Sequence, residues 1–340
     1  MTGAGDAALA LAERGWPVEF HAWPGGRPGF RARAWVINTD SRHDGPARAA
    51  AKVRSAVRSL RRWGADVLFK KIDSTLRGPV GPETDAFLRA AHAKAPVFFV
   101  PAFPRAGRTV VAGRLLVEGI PLDRTPFGRD PRSPRRSARV ATLLDRPRGL
   151  GRRLTIPDVP DNAALRQAAR RAAKDSVAVG SSAFLGVFAG PGERRGALSA
   201  VSRVRSAVVV SGSAHPRTGA QLDLIERRLR RGTFPAQWNV HIIRSPRRRS
   251  SSETVLRGLV VEARGIPKAN RSPRWVLTGG ETALRLVKCW GQNRWRVVGK
   301  VAPGIPLCRS LEGPARELVL KPGGFGRTDV LWKSLNGATA

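Results

Sequence analysis

The chain has 340 residues, of which 61 are lysine or arginine and 25 are aspartate or glutamate, so its formal net charge is +36. This length, with 41% hydrophobic residues, suffices for two ordinary domains with their own cores. No apolar run is long enough to span a bilayer and no signal peptide is recognisable, while two cysteines exclude a disulfide framework and five scattered histidines show no metal-binding spacing.

The positive charge by itself is typical of nucleic-acid-binding proteins. However, the arginines are spread along the whole chain, and no helix-turn-helix, zinc-finger or RNA-stacking signature is present. A genome-wide coding bias toward arginine accounts for this pattern better than specific recognition does. We therefore expect no specific nucleic-acid partner, although non-specific binding of polyanions at low salt is compatible with the charge.

Short apolar runs alternate with helical patterns along the first half of the chain, which predicts an α/β fold. A helix rich in alanine and leucine comes first, with no strand before it. The predicted helices are Ala7–Arg14, Ala47–Trp63 and Pro82–Ala95, and the predicted strands are Val18–His21, Ala34–Asn38, Val67–Phe69 and Val97–Val100.

The segment from Lys70 to Gly81 joins a predicted strand to a predicted helix and carries cations, a carboxylate and hydroxyls. Ligands of open α/β sheets bind at such carboxyl ends of strands. Lys70, Lys71 and Arg77 therefore form a candidate anion receptor, in which the arginine can bind a carboxylate or phosphate through two hydrogen bonds. A basic loop without function, in a chain that is basic throughout, is the alternative explanation.

The predicted strand ends bring further polar residues to the same edge. Arg42 follows the second strand, and Arg105 and Arg108 follow the fourth. Cations for a carboxylate, together with aspartate and serine side chains for hydroxyls, are what a small polyhydroxy acid requires. Asp73 is the candidate base or orienting group at the attacking hydroxyl, and a salt-bridged structural carboxylate is the alternative.

The middle of the chain carries fewer signals. Residues 129–153 are rich in arginine, proline and serine and predict a long surface loop. A helix over Asp161–Lys174 and a strand over Val177–Val179 follow, and Pro191–Arg195 is the expected interdomain connection. The next strand, Ala207–Val210, leads through Ser211-Gly212-Ser213 to a helix in which Thr218 and Gln221 have the spacing of a capping box.

Two glycine-containing turns lie near the C-terminus. Thr278-Gly279-Gly280-Glu281-Thr282 opens a helix, where glycine allows a close backbone approach and free N–H groups favour an anion. Lys321 to Gly326 repeats the combination of lysine, glycines and a turn. Neither turn has the spacing of a P-loop or of a dinucleotide-binding fingerprint.

These motifs, in this order, resemble those of the four-carbon acid sugar kinases, which phosphorylate threonate, erythronate and related tetronates with ATP. The resemblance covers nearly the whole chain. It rests on Thr39-Asp40-Ser41-Arg42, Lys70 to Gly81, Pro101-Ala102-Phe103-Pro104, Ala106-Gly107-Arg108-Thr109, Gly119-Ile120-Pro121-Leu122, Asp130-Pro131, Thr278 to Thr282 and Lys321 to Gly326.

The resemblance implies two α/β domains with a cleft between them: an N-terminal sugar-acid-binding domain over residues 1–190 and a C-terminal nucleotide-binding domain over residues 206–340. It implies a kinase that uses ATP and Mg²⁺ to phosphorylate the terminal hydroxyl of a tetronate, in the cytoplasm, without a membrane, and compatible with a homodimer. The implied substrate-binding residues are Asp40, Ser41, Arg42, Lys71, Ser74 and Arg77, with Asp73 as catalytic residue. The implied nucleotide-binding residues are Ser213, Gly279, Gly280, Glu281, Thr282, Gly323 and Gly324, and no protein metal ligand is assigned.

The sequence departs from the family pattern in four respects. The family has a strand ending in two aspartates before the Thr2-Gly3-Ala4 motif, and these residues are missing here, so we expect a misplaced or truncated start. Pro79 and Arg114 stand where asparagine and histidine are expected, and the second domain is short. The alternative is an inactive homologue that binds nucleotide or polyanions without catalysis.

Overall fold

This computed structural model describes residues 1–29, 32–94, 96–130, 133–144, 150–172, 177–193, 198–213, 215–232, 238–245, 252–266 and 273–337. The chain divides into two compact units. The first comprises Met1–Ala22, Arg31–Asn38 and Arg194–Ala340, and the second comprises Trp23–Phe30 and Thr39–Glu193.

The first unit is built on an eight-stranded mixed sheet. Its strands are β1 (Val18–His21), β2 (Ala34–Ile37), β10 (Ser206–Ser211), β11 (Asn239–Arg244), β12 (Arg274–Thr278), β13 (Arg294–Ala302), β14 (Ile305–Ser310) and β15 (Glu317–Lys321). Their spatial order is β11-β10-β12-β15-β14-β13-β1-β2. Its helices are α1 (Thr2–Ala12), α7 (Pro216–Arg230), α8 (Ser252–Arg264), α9 (Gly280–Cys289) and α10 (Val330–Asn336).

The second unit contains a parallel four-stranded sheet in the order β3-β9-β4-β8 and a small antiparallel sheet, β5-β6-β7. The strands are β3 (Leu68–Lys71), β4 (Val97–Val100), β5 (Arg108–Val111), β6 (Arg114–Val117), β7 (Ile120–Pro121), β8 (Leu154–Thr155) and β9 (Val177–Gly180). The helices are α2 (Pro46–Arg62), α3 (Val80–Ala90), α4 (Val140–Leu143), α5 (Asn162–Ala172) and α6 (Ser182–Phe188).

The α/β class predicted from sequence is confirmed. Local patterns explain the match: all four residues of β4 are buried, as expected for a central parallel strand. Proline opens α2, and apolar residues such as Val53 and Val57 line one face of this helix. Among the described residues, no helix is both long and apolar enough to cross a membrane.

Strands β1 and β2 belong to the sheet of the C-terminal strands, although the sequence places them in the domain predicted over residues 1–190. The reason is non-local pairing: β1 pairs antiparallel with β13, where Phe20 faces Trp295, and both of these side chains are fully buried. The register of such a pairing cannot be read from a four-residue strand.

The carboxyl ends of β3, β9 and β4 are fastened to one another. Ile72 N donates to Gly180 O at 2.8 Å, and Ser181 N donates to Val100 O at 2.9 Å. Ser181 Oγ donates to Ala102 O at 2.6 Å and accepts from Phe184 N at 3.1 Å, so this serine also caps α6. The edge from which the loops of the second unit emerge is therefore fixed.

Gly180 is required at this junction because a Cβ atom there would lie 2.6 Å from Val100 O. We expect Gly180→Ala to lower the free energy of unfolding by about 1–3 kcal/mol, since backbone must move to relieve the overlap. Gly219→Ala in α7, where nothing lies within 4 Å of the added methyl group, is the control and should raise stability by up to about 1 kcal/mol. Urea unfolding of both variants checks the prediction, and equal effects would contradict it.

Candidate active site

The loop after β3 is centred on the carboxylate of Asp73. Oδ2 accepts from Arg77 Nε and lies 2.9 Å from Arg77 Nη2 and 3.0 Å from Arg42 Nη2. Oδ1 accepts from Thr75 N at 3.0 Å and from Thr75 Oγ1 at 2.9 Å. Both carboxylate oxygens are thus engaged, and the carboxylate holds two guanidinium groups in fixed positions.

The electrostatics of the loop keep Asp73 ionised. Burial by itself would raise the pKa of Asp73, but Arg77, Arg42 and Lys71, with the N–H of Thr75, hold this pKa well below its usual value. A carboxylate with so low a pKa is a weak base at neutral pH. Of the two roles predicted for Asp73, the geometry favours the alternative, a salt-bridged carboxylate, over a base at the attacking hydroxyl.

The backbone around this cluster adopts left-handed conformations. Asp40 has φ 48°, Leu76 has φ 55° and Gly78 has φ 90°. A Cβ atom on Gly78 would lie 3.1 Å from Arg42 O, so the two loops approach each other backbone to backbone. Non-glycine residues with positive φ store strain that the surrounding structure must hold, and they cluster at functional sites.

An aromatic ring supports the arginines from another side. The Arg77 guanidinium lies 5.4 Å from the centroid of the Phe127 ring, and that of Arg108 lies 6.0 Å from the same centroid. Arg77 Nη1 also lies 3.7 Å from Asp130 Oδ2. Arg108, predicted from its place after β4, is therefore close to the cluster, whereas the side chain of Arg105 is exposed.

The prediction of a long surface loop over residues 129–153 is wrong for its described part. Ser133 and Arg135 are buried and hold the segment from Lys70 to Gly81: Gly78 N donates to Ser133 Oγ, and Arg135 Nη2 donates to Gly78 O, both at 2.9 Å. Val140 and Leu143 of α4 are also buried. The polar composition concealed these contacts because they join residues more than fifty positions apart. Residues 131–132 and 145–149 of this stretch lie outside the described residues.

The remaining residues predicted for this site differ in their surroundings. Ser41 is buried and pairs with Thr39 at 2.7 Å between hydroxyl oxygens, while Asp40 is exposed and its carbonyl accepts from Lys52. Lys71 and Ser74 are partly exposed beside Asp73. Lys70 is instead committed to Glu83, with Nζ 2.7 Å from Oε2, and so does not belong to the anion receptor.

A second cluster forms in the first unit at the carboxyl ends of the parallel strands β10, β12 and β15. Gly279 N donates to Lys321 O at 3.1 Å, and Gly212 N donates to Thr278 O at 3.3 Å. The buried hydroxyls of Ser211 and Thr278 lie 2.7 Å apart. The three turns that follow these strands are thus held side by side, as expected where ligands bind in open α/β sheets.

Glycines let these turns pack against one another. A Cβ atom on Gly212 would overlap with Thr282 Oγ1, and one on Gly323 would overlap with Ser213 Oγ. Gly279 has φ 95°, which glycine adopts without strain. These contacts bring together the turns that carry the seven residues predicted for nucleotide binding, which are Ser213, Gly279, Gly280, Glu281, Thr282, Gly323 and Gly324.

The capping box predicted at Thr218 and Gln221 is wrong. Helix α7 begins at Pro216, and His215 is its N-cap, with Nδ1 accepting from Arg217 N at 3.1 Å. Thr218 Oγ1 instead donates to Gly323 O at 2.6 Å, and Gln221 Nε2 donates to the carbonyls of residues 325, 326 and 327. Both residues hold the C-terminal turn, a long-range role that spacing alone does not reveal.

Sequence reasoning noted Lys321 but did not include it in the site. It is fully buried at the end of β15, and burial, with a smaller effect of Arg217, lowers the pKa of Lys321 to about 7. Among the described residues, neither Lys321 nor Arg217 forms an ion pair with a carboxylate. Uncompensated cations beside a glycine turn favour an anionic ligand.

No group of three His, Cys, Asp or Glu side chains with the geometry of a metal site occurs within the part of the chain that the structure describes. Glu281, predicted to bind a ribose hydroxyl or a metal-bound water, is partly exposed in the first turn of α9. Metal binding through a nucleotide's phosphates needs only one or two carboxylates from the protein.

Two family models match the chain. One, described as a sugar-binding N-terminal domain, matches residues 1–183, and the other, described as a nucleotide-binding C-terminal domain, matches residues 236–331. The D-threonate kinase of Bordetella bronchiseptica is 30% identical over 381 residues, covering 97% of this chain and 94% of that enzyme. The D-threonate kinase of Salmonella typhimurium is 39% identical over 148 residues, which cover 42% of this chain but only 34% of that enzyme.

Solved structures share the fold. A Salmonella typhimurium LT2 protein superposes with a TM-score of 0.76 at 20% identity, over 98% of this chain and 96% of that one. A Bordetella bronchiseptica protein that binds citrate as a domain-swapped dimer gives a TM-score of 0.51 at 27% identity, over 98% and 96% of the two chains. The predicted resemblance and fold class are both confirmed by these matches.

The lowered pKa of Lys321 predicts a pH dependence of stability. The native state releases this proton near pH 7, whereas the unfolded chain keeps it up to about pH 10.5, so between these values the unfolded state binds more protons and stability rises with pH. We expect the unfolding free energy of the native sequence, relative to Lys321→Met, to rise by up to about 1.4 kcal/mol per pH unit in this window. Urea unfolding at pH 6.5, 8 and 9.5 measures it, and a constant difference would show an ordinary lysine pKa.

Proposed function

The chain belongs to the family of four-carbon acid sugar kinases, and we propose that it transfers the terminal phosphoryl group of ATP to the terminal hydroxyl of a tetronate such as threonate or erythronate. The observation that carries the proposal is the pair of guanidinium groups, Arg42 and Arg77, held by one ionised carboxylate, Asp73. The names of the related kinases support this substrate class.

The second unit would bind the sugar acid. Three cations, Arg42, Lys71 and Arg77, act on the carboxylate of Asp73, and Asp130 lies 3.7 Å from Arg77, so this loop gathers cations where a substrate carboxylate would bind. Arg42 is partly open to solvent and retains N–H groups for a ligand, and Ser41 and Ser74 supply hydroxyls nearby in sequence. A monoanion with several hydroxyls fits this combination.

The first unit would bind the nucleotide. Its turns carry close-packed glycines, the hydroxyl of Ser213 and the cations Lys321 and Arg217, a combination suited to a polyphosphate. ATP, when bound, supplies the phosphoryl group, and Mg²⁺ held by its phosphates would neutralise part of their charge. Glu281 is our candidate for a ribose hydroxyl or a metal-bound water.

The residues of this chain would act mainly by positioning. Phosphoryl transfer has a loose transition state in which little covalent chemistry falls to the protein, so orientation and charge neutralisation dominate. Asp73 orients Arg42 and Arg77, which hold the carboxylate end of the substrate and leave its terminal hydroxyl free to attack. We also propose a homodimer, supported by the dimeric Bordetella structure, and light scattering of the purified chain tests it.

A coupled assay of ATP consumption tests the proposed function. The panel contains D- and L-threonate, D- and L-erythronate, and threitol as a neutral analogue that lacks the carboxylate. We expect turnover with at least one tetronate and at least about 100-fold lower kcat/KM with the neutral analogue, since charge-assisted bonds would be lost. Binding of ATP with no turnover of any tetronate would instead identify an inactive nucleotide-binding homologue.

Replacing Arg77 should affect binding of the sugar acid and leave binding of ATP almost unchanged. We expect Arg77→Met to raise the KM for the tetronate by about 10- to 100-fold, because one charge-assisted contact is worth about 1.5–3 kcal/mol, and to change the KM for ATP less than about twofold. Arg89→Met is the matched control, since Arg89 pairs with Asp85 on the surface of α3 in the same unit. Steady-state kinetics measure both Michaelis constants. Equal effects on the two would contradict the assignment of Arg77 to the sugar-acid site.

A further inference from the structure

The side chain of Lys321 makes three hydrogen bonds, to the turn that follows β15 and to Thr218. Its Nζ donates to Gly323 O at 3.0 Å, to Pro322 O at 3.1 Å and to Thr218 Oγ1 at 3.3 Å. An ammonium group has three N–H donors and no acceptor, so these three partners use its whole capacity. In this arrangement the group has no donor left for direct contact with a ligand.

A buried ammonium group in this position is costly to the fold. Lys321 is fully buried, and removing an ammonium from water is unfavourable unless an opposite charge compensates it. Within the described part of the chain no carboxylate pairs with it, and Arg217, the charge that acts on it, has the same sign. Its three partners are neutral oxygen atoms. Stability alone therefore gives no reason for a lysine in this place.

The partners of Lys321 indicate where its effect is felt. Pro322 and Gly323 directly precede Gly324, and their carbonyl groups are held toward the ammonium. Thr218 accepts from Lys321 and donates to Gly323 O at 2.6 Å, so both residues converge on the same carbonyl. Thr218 Oγ1 also lies 3.3 Å from Ser213 Oγ. One network thus joins the turn after β15 to the serine turn after β10.

We propose that Lys321 is a positioning residue that fixes the turn from Pro322 to Gly326 in the shape that receives the polyphosphate of the nucleotide. The inference rests on the proposed function of the first unit. Lys321 acts through Thr218 and Gly323 rather than by touching the ligand. Its charge in addition makes the turn electropositive, and a bound polyphosphate compensates the buried cation.

Lys321→Met tests the proposal because methionine keeps the length and apolar stem of the side chain and removes the charge. The measurements are titration calorimetry with ADP at pH 6, where the ammonium form is present, and thermal unfolding of the same samples. We expect the Kd for ADP to rise about 10- to 100-fold, while the unfolding temperature stays equal or increases because a desolvated charge has been removed. If Lys321 had only a structural role, the variant would lose affinity for ADP and its unfolding temperature would fall as well.

A second variant and a control complete the design. Thr218→Val keeps the shape of the side chain and removes the hydroxyl that links Lys321 to Gly323, so it should weaken ADP binding in the same direction. The double variant should lose less affinity than the sum of the two single losses, because both act on one network. Lys300→Met is the control, since Lys300 lies on β13 of the same unit and pairs with Glu13 at the surface; its Kd for ADP should not change.

The outcomes separate this inference from the function on which it rests. If the native sequence does not bind ADP, the proposed use of ATP fails. If it binds ADP and Lys321→Met binds equally well, the inference on Lys321 fails alone. A parallel loss of affinity and of unfolding temperature in Lys321→Met would also overturn it, and additive losses in the double variant would show that Lys321 and Thr218 act independently.

Discussion

The scarcity of carboxylates governs how this chain arranges its charges. With 61 basic and 25 acidic residues, several acids contact more than one base. Glu19 lies 2.7 Å from Arg294 Nε and 2.9 Å from His21 Nε2, and Glu317 contacts both Arg274 and Arg309. Asp73, between Arg42 and Arg77, follows the same pattern. Sharing one acid between two bases orders the cations while leaving net positive charge, which is the condition for binding an anion.

The two candidate sites order their cations in different ways. In the second unit an ionised carboxylate fixes the arginines, and the partly exposed guanidinium of Arg42 remains available to a ligand. In the first unit the ammonium of Lys321 is fixed by carbonyl and hydroxyl oxygens, all of which belong to the turn itself or to Thr218. A guanidinium with five donors can do both tasks at once, whereas a lysine with three donors can be used up by its own loop.

Local signals in the sequence predicted much of the fold. Strands such as Val18–His21 and Val97–Val100 were predicted with their observed bounds, the first from alternating apolar and polar residues and the second from a short apolar run. The predictions failed where the deciding contact is distant in sequence. Thr218 and Gln221 have the spacing of a helix cap, yet their hydrogen bonds go to residues about one hundred positions later. Ser133 and Arg135 were hidden in a polar stretch for the same reason.

The candidate sites were predictable to the extent that strand ends and glycine turns mark them. The sequence, together with the family resemblance, selected Asp73 and Arg77 and the three turns after β10, β12 and β15. It did not show that Lys70 is paired with Glu83. Nor could it identify Lys321, because a lysine at the end of a strand appears solvated until its burial is known. In a chain with so many cations, composition says which groups could bind an anion. Only the three-dimensional structure shows that Lys70 is paired with Glu83 and that Lys321 is bonded to its own turn, whereas Arg42 stays accessible to a ligand beside Asp73.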